Sequence, residues 1–337
     1  MGKSKIQTIA DIAKLAEVSK STVSRAVNDS PLVSQETKER IQTIAREHNF
    51  RINAPARSLS MQRSNTIAFV THAYHKKAFS LEDLFSLETM GGITKGLHPL
   101  GYELLVVHVD PRDASWADQY LSSGRVDGFI VWTSSRKQWH IETLVEMDAP
   151  FIVWGVPKEK YHYCSVSGDN LTGGRLATEH LIQIGRQRIA FLGGPPEEME
   201  VQFRFQGYEN ALKDAGFSLD PELLVYGDYS HVSGTAAMKQ LFNQSPDIDA
   251  VFVNSDLVAI AAIKVIRGNG KQVPIDIAVV GYDDLSIASY NSLPLTTISQ
   301  NIPLAGKLLA QNLILYIKTR VVTNVAIPVE LIVRESA

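Results

Sequence analysis

From Thr66 onward, short apolar runs alternate with longer amphipathic stretches, and this alternation narrows the folds open to the 337-residue chain more than any other feature. TIAFV, YELLVVHV, VDGFIVW, APFIVWG, RIAFLGG, AVFVNS and IAVVGYDD read as strands. Helical stretches lie between them, at roughly 81–97, 114–121, 140–147, 170–184, 201–215, 233–242 and 257–267. Near-continuous apolar strands separated by helices indicate parallel sheets covered on both faces. The part of the chain after the first sixty residues or so is too long for one comfortable sheet and natural for two lobes. A polar stretch containing Pro157, Lys158, Glu159 and Lys160 places the break between them at 158–165.

The first sixty residues are of another kind. TIADIAKLAEVSKSTVSRAVNDSPLVS reads as two short helices joined by a tight turn. Thr8 caps the first, with Asp11 reaching back in a capping box. Ile9, Ile12, Ala13 and Ala16 form one apolar stripe along it. Glu17 and Val18 make the turn, and Ser19 caps a second helix in which Val23, Ala26 and Val27 face inward. Lys20, Ser21, Thr22, Ser24, Arg25 and Asn28 are left outward, a face of hydrogen-bonding groups without a carboxylate. A short helix of this kind is what a DNA major groove accepts, whereas the plainer alternative is a helical hairpin at a protein surface. Ser34 caps a third helix with Thr37, Ile41, Ile44, Ala45 and His48 on one side. Residues 1–64 hold 11 Lys+Arg against 6 Asp+Glu, a net of +5, so the remainder carries 22 against 30, a net of −8. A basic head on an acidic body suits a phosphate-binding module attached to something that does not touch DNA.

TIADIAKLAEVSKSTVSRAVN, VSQETKERI and NAPARSL at 53–59 closely resemble the lac-repressor/galactose-repressor family of bacterial transcription regulators, and the resemblance runs on to the closing VELIVRES. It implies that the second helix lies in the major groove. Lys20, Ser21 and Arg25 would read bases there, and Ser19, Thr22, Ser24, Asn28, Ser34 and Thr37 would mainly meet phosphates. Arg25 is suited to guanine, since its planar fork matches O6 and N7. Thr8, Asn53 and Ala56 complete the candidate DNA-binding set. Asn53 and Pro55 suit a helix start, but so short a segment cannot hold a helix alone. The resemblance implies a hinge helix that orders against DNA and its twin from a second subunit, with Leu59 as a wedge in the minor groove. A solvated linker is the plainer alternative. Pro55 departs from the commoner family sequence.

The expected organisation is therefore an α/β chain with a small all-α helix-turn-helix head at 1–52, a hinge at 53–62 and a body at 63–337. Resemblance to the family and to periplasmic sugar-binding proteins implies two doubly wound parallel-sheet lobes crossed three times by the chain. The first lobe is expected at about 63–162 plus 293–321 and the second at about 163–290 plus 324–337. In such sheets, ligands sit at the carboxyl ends of strands. Those ends read His72 with Tyr74, Trp132, Trp154, Asn254-Ser255 and Tyr282-Asp283. By resemblance, Arg204 and Asp283 reach into the cleft, Ser255 and Gln300 line it, and Trp154 stands where some members place a carboxylate. His72, Tyr74 and Phe85 complete the candidate ligand set. An arginine, an aspartate, amides and an indole suit a sugar, by pairing with hydroxyls and covering the C–H side of a ring. Trp132 reads more readily as core, Asp283 could instead cap the next helix, and His72 could only line the hinge.

Other classes fit less well. GGPPEEMEV lacks the dinucleotide fingerprint and any phosphate-loop lysine, and Gly173-Gly174 suits close helix packing. The nine histidines show no metal-ligand spacing on a helix, and His140, His180 and His231 read as ordinary surface or core residues. No catalytic residue, metal or cofactor is expected. The single cysteine, Cys164, excludes an internal disulfide. With no export signal and no apolar run near the ~18 residues needed to span a bilayer, a cytoplasmic protein that does not enter membranes is expected. No heptad-spaced tail follows IPVELIVRES, which points to a homodimer rather than a tetramer. The expected function is a ligand-responsive regulator, a repressor of carbohydrate-utilisation genes that binds a near-palindromic double-stranded operator and answers to a sugar or sugar phosphate. The alternatives are a nucleobase effector, or a metabolite-binding or catalytic domain whose head docks protein.

Overall fold

The computed structural model describes residues 8–27, 30–48, 50, 63–72, 84–110, 113, 115–132, 139–158 and 160–337. The chain divides into two compact units, Met1–Ser64 and Asn65–Ala337.

In the first unit, α1 (Ile9–Leu15), α2 (Lys20–Val27) and α3 (Gln35–Glu47) enclose a small core. The Thr8 hydroxyl accepts the Asp11 amide at 3.3 Å, and the Asp11 carboxylate accepts the Thr8 amide at 3.0 Å. This reciprocal pair satisfies two helix donors that would otherwise lack partners. Glu17 turns the chain with a left-handed φ of 51°, and the Ser19 hydroxyl then accepts the Thr22 amide at 3.1 Å to start α2. Ser34 starts α3 in the same way, accepting the Thr37 amide at 3.4 Å. Ile12, Val23, Ala26 and Ile41 are fully buried between the three helices. His48 departs from the sequence reading. It is exposed because it is the C-cap, past the last helical turn, where helical spacing no longer carries a side chain inward. Lys38 is buried on the inner side instead.

The second unit begins with β1 (Thr66–His72), α4 (Leu84–Leu97), β2 (Glu103–Val109), α5 (Trp116–Leu121), β3 (Gly128–Trp132), α6 (Trp139–Glu146), β4 (Phe151–Trp154) and β5 (Cys164–Gly168). There follow α7 (Asn170–Gln183), β6 (Ile189–Gly193), α8 (Met199–Asp214), β7 (Leu224–Tyr226), α9 (His231–Gln244), β8 (Ala250–Val253), α10 (Asp256–Gly268) and β9 (Ala278–Asp283). The chain closes with α11 (Ser286–Tyr290), β10 (Thr296–Ser299), α12 (Ile302–Thr319), β11 (Asn324–Ile327) and β12 (Glu330–Ile332). Two six-stranded sheets result, in the orders β11-β5-β4-β3-β1-β2 and β12-β10-β9-β8-β6-β7. Every pairing is parallel except that of β12 with β10. Apolar clusters lie on both faces of each sheet, which is why β3, β4, β6 and β8 are apolar along their length.

Three crossings join the lobes, and each lies later than the sequence suggests. The first falls after Gly168 rather than at 158–165, because β5 belongs to the first sheet. The second falls between β10 and α12 rather than near residue 290, and the third between β11 and β12 rather than at 321–324. The strands concerned are rich in small hydroxyl residues whose polarity imitates a linker. Ser165, Thr296 and Thr297 are buried with their hydroxyls paired. Ser165 donates to Asn324 Oδ1 at 2.9 Å, Thr297 to Asp256 Oδ1 at 2.5 Å and Thr296 to the Ala337 carbonyl at 3.2 Å. IPVELIVRES is not one strand either, since Pro328 separates β11 in one sheet from β12 in the other. The crossings run side by side, with the Asp169 amide donating to the Ile327 carbonyl at 2.9 Å. No helix among the described residues is long and apolar enough to cross a membrane.

Candidate DNA-binding face and ligand cleft

On the head, α2 buries Val23 and Ala26 and exposes Lys20, Ser21 and Arg25, with Thr22 and Ser24 half-buried at the margin. Ser19 and Ser34 are exposed, but their hydroxyls are engaged as caps. Ser19 Oγ also lies 2.7 Å from Ser21 Oγ and 2.8 Å from Thr22 Oγ1, and Ser34 Oγ lies 2.8 Å from Thr37 Oγ1. These bonds fix the first turns of α2 and α3, where helix amides favour an anion. Thr8 is exposed at its own cap. The structure thus brings Lys20, Ser21 and Arg25 onto one surface flanked by capped helix starts. Asn28, Asn53, Ala56, Leu59 and Tyr74 lie outside the described residues.

In the second lobe, α8 carries Arg204 inward. Its Nε donates to Asn170 Oδ1 at 2.8 Å and its Nη1 to the Asn254 carbonyl at 2.7 Å, while the guanidinium carbon lies 3.7 Å from the Tyr282 ring centroid. The approach that permits this depends on glycine. A Cβ at Gly207 would land on the Leu171 carbonyl oxygen, and one at Gly174 on that of Arg204. Gly174 therefore serves helix packing, whereas Gly173 makes room for the Tyr282 ring, whose hydroxyl a Cβ there would strike.

Asp283 ends β9 with φ 114°, a backbone conformation L-residues rarely adopt, and its Oδ1 accepts from Gln300 Nε2 at 2.7 Å. It does not cap α11, whose N-cap is Leu285, without a side-chain cap bond. A conformation of this kind costs about 1–3 kcal/mol and persists only where the surrounding structure holds it. Burial pushes the Asp283 carboxyl up to about 7, against the opposing pull of Arg204 and the Gln300 bond. Beneath it, Asp256 is fully buried, and both burial and Asp283 raise its carboxyl well above the ordinary range.

A closed recess at the carboxyl ends of β6, β7 and β8, too narrow in this conformation to admit a water molecule, is lined by Gly194, Gly227, Tyr229, Ser233, Asn254 and Ser255, among others. The Ser255 hydroxyl is partly committed, accepting the Val258 amide at 3.4 Å as the N-cap of α10. Gly194 is small because a Cβ there would land on the Tyr229 ring, which explains the glycine pair without a phosphate loop. Asn254 is only 1% exposed, yet neither its amide nitrogen nor its amide oxygen has a hydrogen-bond partner. A buried amide with both ends unsatisfied costs stability unless something fills it. Sequence reasoning noted Asn254 only as a strand end and missed Tyr229 and Asn170, because the loops and bonds that gather them are not local in the chain.

The first lobe contributes aromatics. Trp132 and Trp154 end β3 and β4 in register, with ring centroids 6.5 Å apart and nearly perpendicular. Phe85 on α4 lies 5.4 Å from Trp132 and 5.8 Å from Trp154. Trp154 is 9% exposed and packs in the lobe core, whereas Trp132 is half-buried, so the ring expected in the core keeps the more open face. His140 is fully buried and lies 2.9 Å from the Trp132 carbonyl, a structural role. His72 is the last residue of β1, paired with Val109. Two hydrogen bonds tie the lobes across the rim, from the Val156 amide to Glu200 at 2.9 Å and from the Ser286 amide to Glu88 at 2.8 Å.

Comparison with known proteins agrees with this anatomy. Residues 8–53 match the family described as bacterial regulatory proteins, lacI family, and residues 73–335 match periplasmic binding proteins and sugar binding domain of LacI family. The HTH-type transcriptional regulator CelR of Thermobifida fusca is 35% identical over 336 residues, covering 98% of each chain. A solved transcriptional regulator CelR–cellobiose complex superposes with a TM-score of 0.74 at 33% identity, over 98% of this chain and 99% of that one. The lac repressor dimer bound to operator and the anti-inducer ONPF superposes with a TM-score of 0.83 at 29% identity, over 98% of both chains. With its head and its body each matched to one family and a regulator aligned along nearly its whole length, the chain belongs to the lacI family of bacterial transcription regulators.

Proposed function

We propose that the protein is a repressor of carbohydrate-utilisation genes that binds its operator as a homodimer and answers to a carbohydrate held between the lobes. Lys20, Ser21 and Arg25 read bases in the major groove. Ser19, Thr22, Ser24, Asn28, Ser34 and Thr37 meet the backbone, and Leu59 of the 53–62 segment enters the minor groove. The observation that carries the effector reading is the unpartnered amide of Asn254, set beside the Arg204 and Asp283 positions. An amide offers one donor and one acceptor to vicinal hydroxyls, and a carboxylate with an arginine adds a second polar pair. Phe85 and Trp132, packed over the more deeply buried Trp154, supply aromatic surface for the apolar side of a sugar ring. The CelR–cellobiose complex supports the same class. Ligand binding changes the angle between lobes whose cross-cleft bonds involve Glu88 and Glu200, and hence the spacing of the two hinge segments in the dimer. Thermal-shift measurements with sugars, sugar phosphates and nucleobases test the reading, since a ligand specific for the folded state raises the midpoint. Tight binding of a purine with no response to any sugar at millimolar concentration would replace the carbohydrate by a nucleobase. Operator affinity that is insensitive to salt would remove the DNA-binding reading itself.

A further inference from the structure

The first turn of α8 is where an anionic group of a ligand would ordinarily be held. Helix amides point outward there, the dipole is positive, and Arg204 lies farther along the same helix. In this chain that turn reads Pro196-Glu197-Glu198-Met199-Glu200. Glu198 is the N-cap residue, a position from which a carboxylate usually turns back onto helix amides, yet it makes no capping bond. It is 8% exposed and accepts the hydroxyl of Tyr229 at 3.0 Å, and Tyr229 is a wall of the recess that holds Asn254. Glu200 receives the Val156 amide from the opposite lobe. Arg204, the cation whose charge acts on Glu198, already donates to Asn170 and to the Asn254 carbonyl. The cleft end of α8 thus presents carboxylates where a phosphate-holding site presents donors.

We propose that the cleft admits an uncharged saccharide and turns away its phosphate ester, and that Glu198 is the residue that sets this discrimination. The proposal rests on the carbohydrate reading above and narrows it. A saccharide hydroxyl donates to the Glu198 carboxylate, while Asn254 supplies the donor and acceptor that the protein leaves unpaired. A phosphate in the same place would set like charges together in a dry pocket, where water screens them poorly. Discrimination of this kind comes from a repulsive element as much as from attraction. Burial, then Glu200, lifts the Glu198 carboxyl to about 7 against the Tyr229 bond and Arg204, with Glu197 adding to the rise. The repulsion therefore strengthens as pH rises through neutrality.

Calorimetry and thermal shift on the full chain at about pH 8, where Glu198 is ionised, test this with cellobiose, glucose and ribose, the phosphate esters of each, and inorganic phosphate alone. The parent sugar that binds should do so about tenfold or more tightly than its ester, and inorganic phosphate should leave the midpoint unmoved. Glu198→Gln should close that gap and let inorganic phosphate stabilise the protein, whereas Glu198→Asp, which keeps the charge, should preserve the discrimination. An ester that binds as tightly as its parent, or a ratio unchanged in Glu198→Gln, would overturn the proposal. If neither sugars nor esters bind and a nucleobase does, the carbohydrate reading fails. The exclusion of anions then stands or falls on the inorganic phosphate arm, where stabilisation of the unsubstituted protein would end it.

Discussion

Arg25 stands exposed on α2 with Ala26 buried beside it, so its substitution tests recognition without disturbing the core of the head. Arg25→Ala should remove about 1–3 kcal/mol of discrimination between operator and random DNA and leave much of the salt-dependent affinity in place. Fluorescence anisotropy on specific and scrambled duplexes measures both. Equal weakening on the two would make Arg25 a phosphate contact. In the body, Glu198 and Asp283 have carboxyls lifted from ordinary values of 4.5 and 3.8 to about 7 each, chiefly by burial. Between those limits the folded chain keeps protons that the unfolded chain has released. Their contribution to stability is thus complete below the ordinary carboxylate range and is lost as pH rises through about 7. The thermal midpoint should accordingly carry a downward term between about pH 4 and pH 7, and Glu198→Gln and Asp283→Asn should each flatten it. A slope that neither variant alters would mean that these carboxyls are ionised throughout.

At the scale of the element, the position of Arg204 depends on how closely α7 and α8 approach. Gly207→Ala would put a methyl on the Leu171 carbonyl oxygen, which is backbone and cannot swing aside. Overpacking of this kind should cost about 1–3 kcal/mol of stability. Moving α8 would also stretch the bonds from Arg204 to Asn170 and Asn254, so effector affinity should fall with stability. Chemical denaturation together with calorimetry checks the pair, and a loss of stability with affinity intact would uncouple the packing from the site. The two helices were visible in the sequence because each carries a regular apolar period, and strands such as FIVW and AVFV were visible because both of their faces are buried. β5, with Ser165 and Ser167, and β10, with Thr296 and Thr297, were not. The hydroxyls of Ser165, Thr296 and Thr297 are satisfied by partners distant in the chain, and nothing local distinguishes such a strand from a linker. The same reason hid Asn254 and Tyr229. Arg204 and Asp283 were found through family resemblance, and the strain at Asp283 is invisible until its φ is known.

For the whole molecule, the chain divides into Met1–Ser64 and Asn65–Ala337, and the proposed function would place recognition of DNA in the first unit and of the effector in the second. The head has its own apolar core and its own caps. A change confined to the cleft should therefore silence the response without weakening the operator complex formed in the absence of effector. Asp283→Asn is the sharpest test. The asparagine keeps an oxygen to accept from Gln300, so the local structure is retained while the charge and one acceptor are lost. Leaving a ligand hydroxyl or a buried donor unpaired should cost about 1–3 kcal/mol, roughly a five- to 150-fold loss in effector affinity. Because effector and operator communicate by a coupling free energy, weaker effector binding shifts the response to higher concentration and need not change the affinity of the free protein for DNA. Operator titrations with and without saturating sugar distinguish the cases. If Asp283→Asn weakens operator binding when no effector is present, the cleft carboxyl takes part in setting the resting conformation of the regulator, and the two units are not functionally separable.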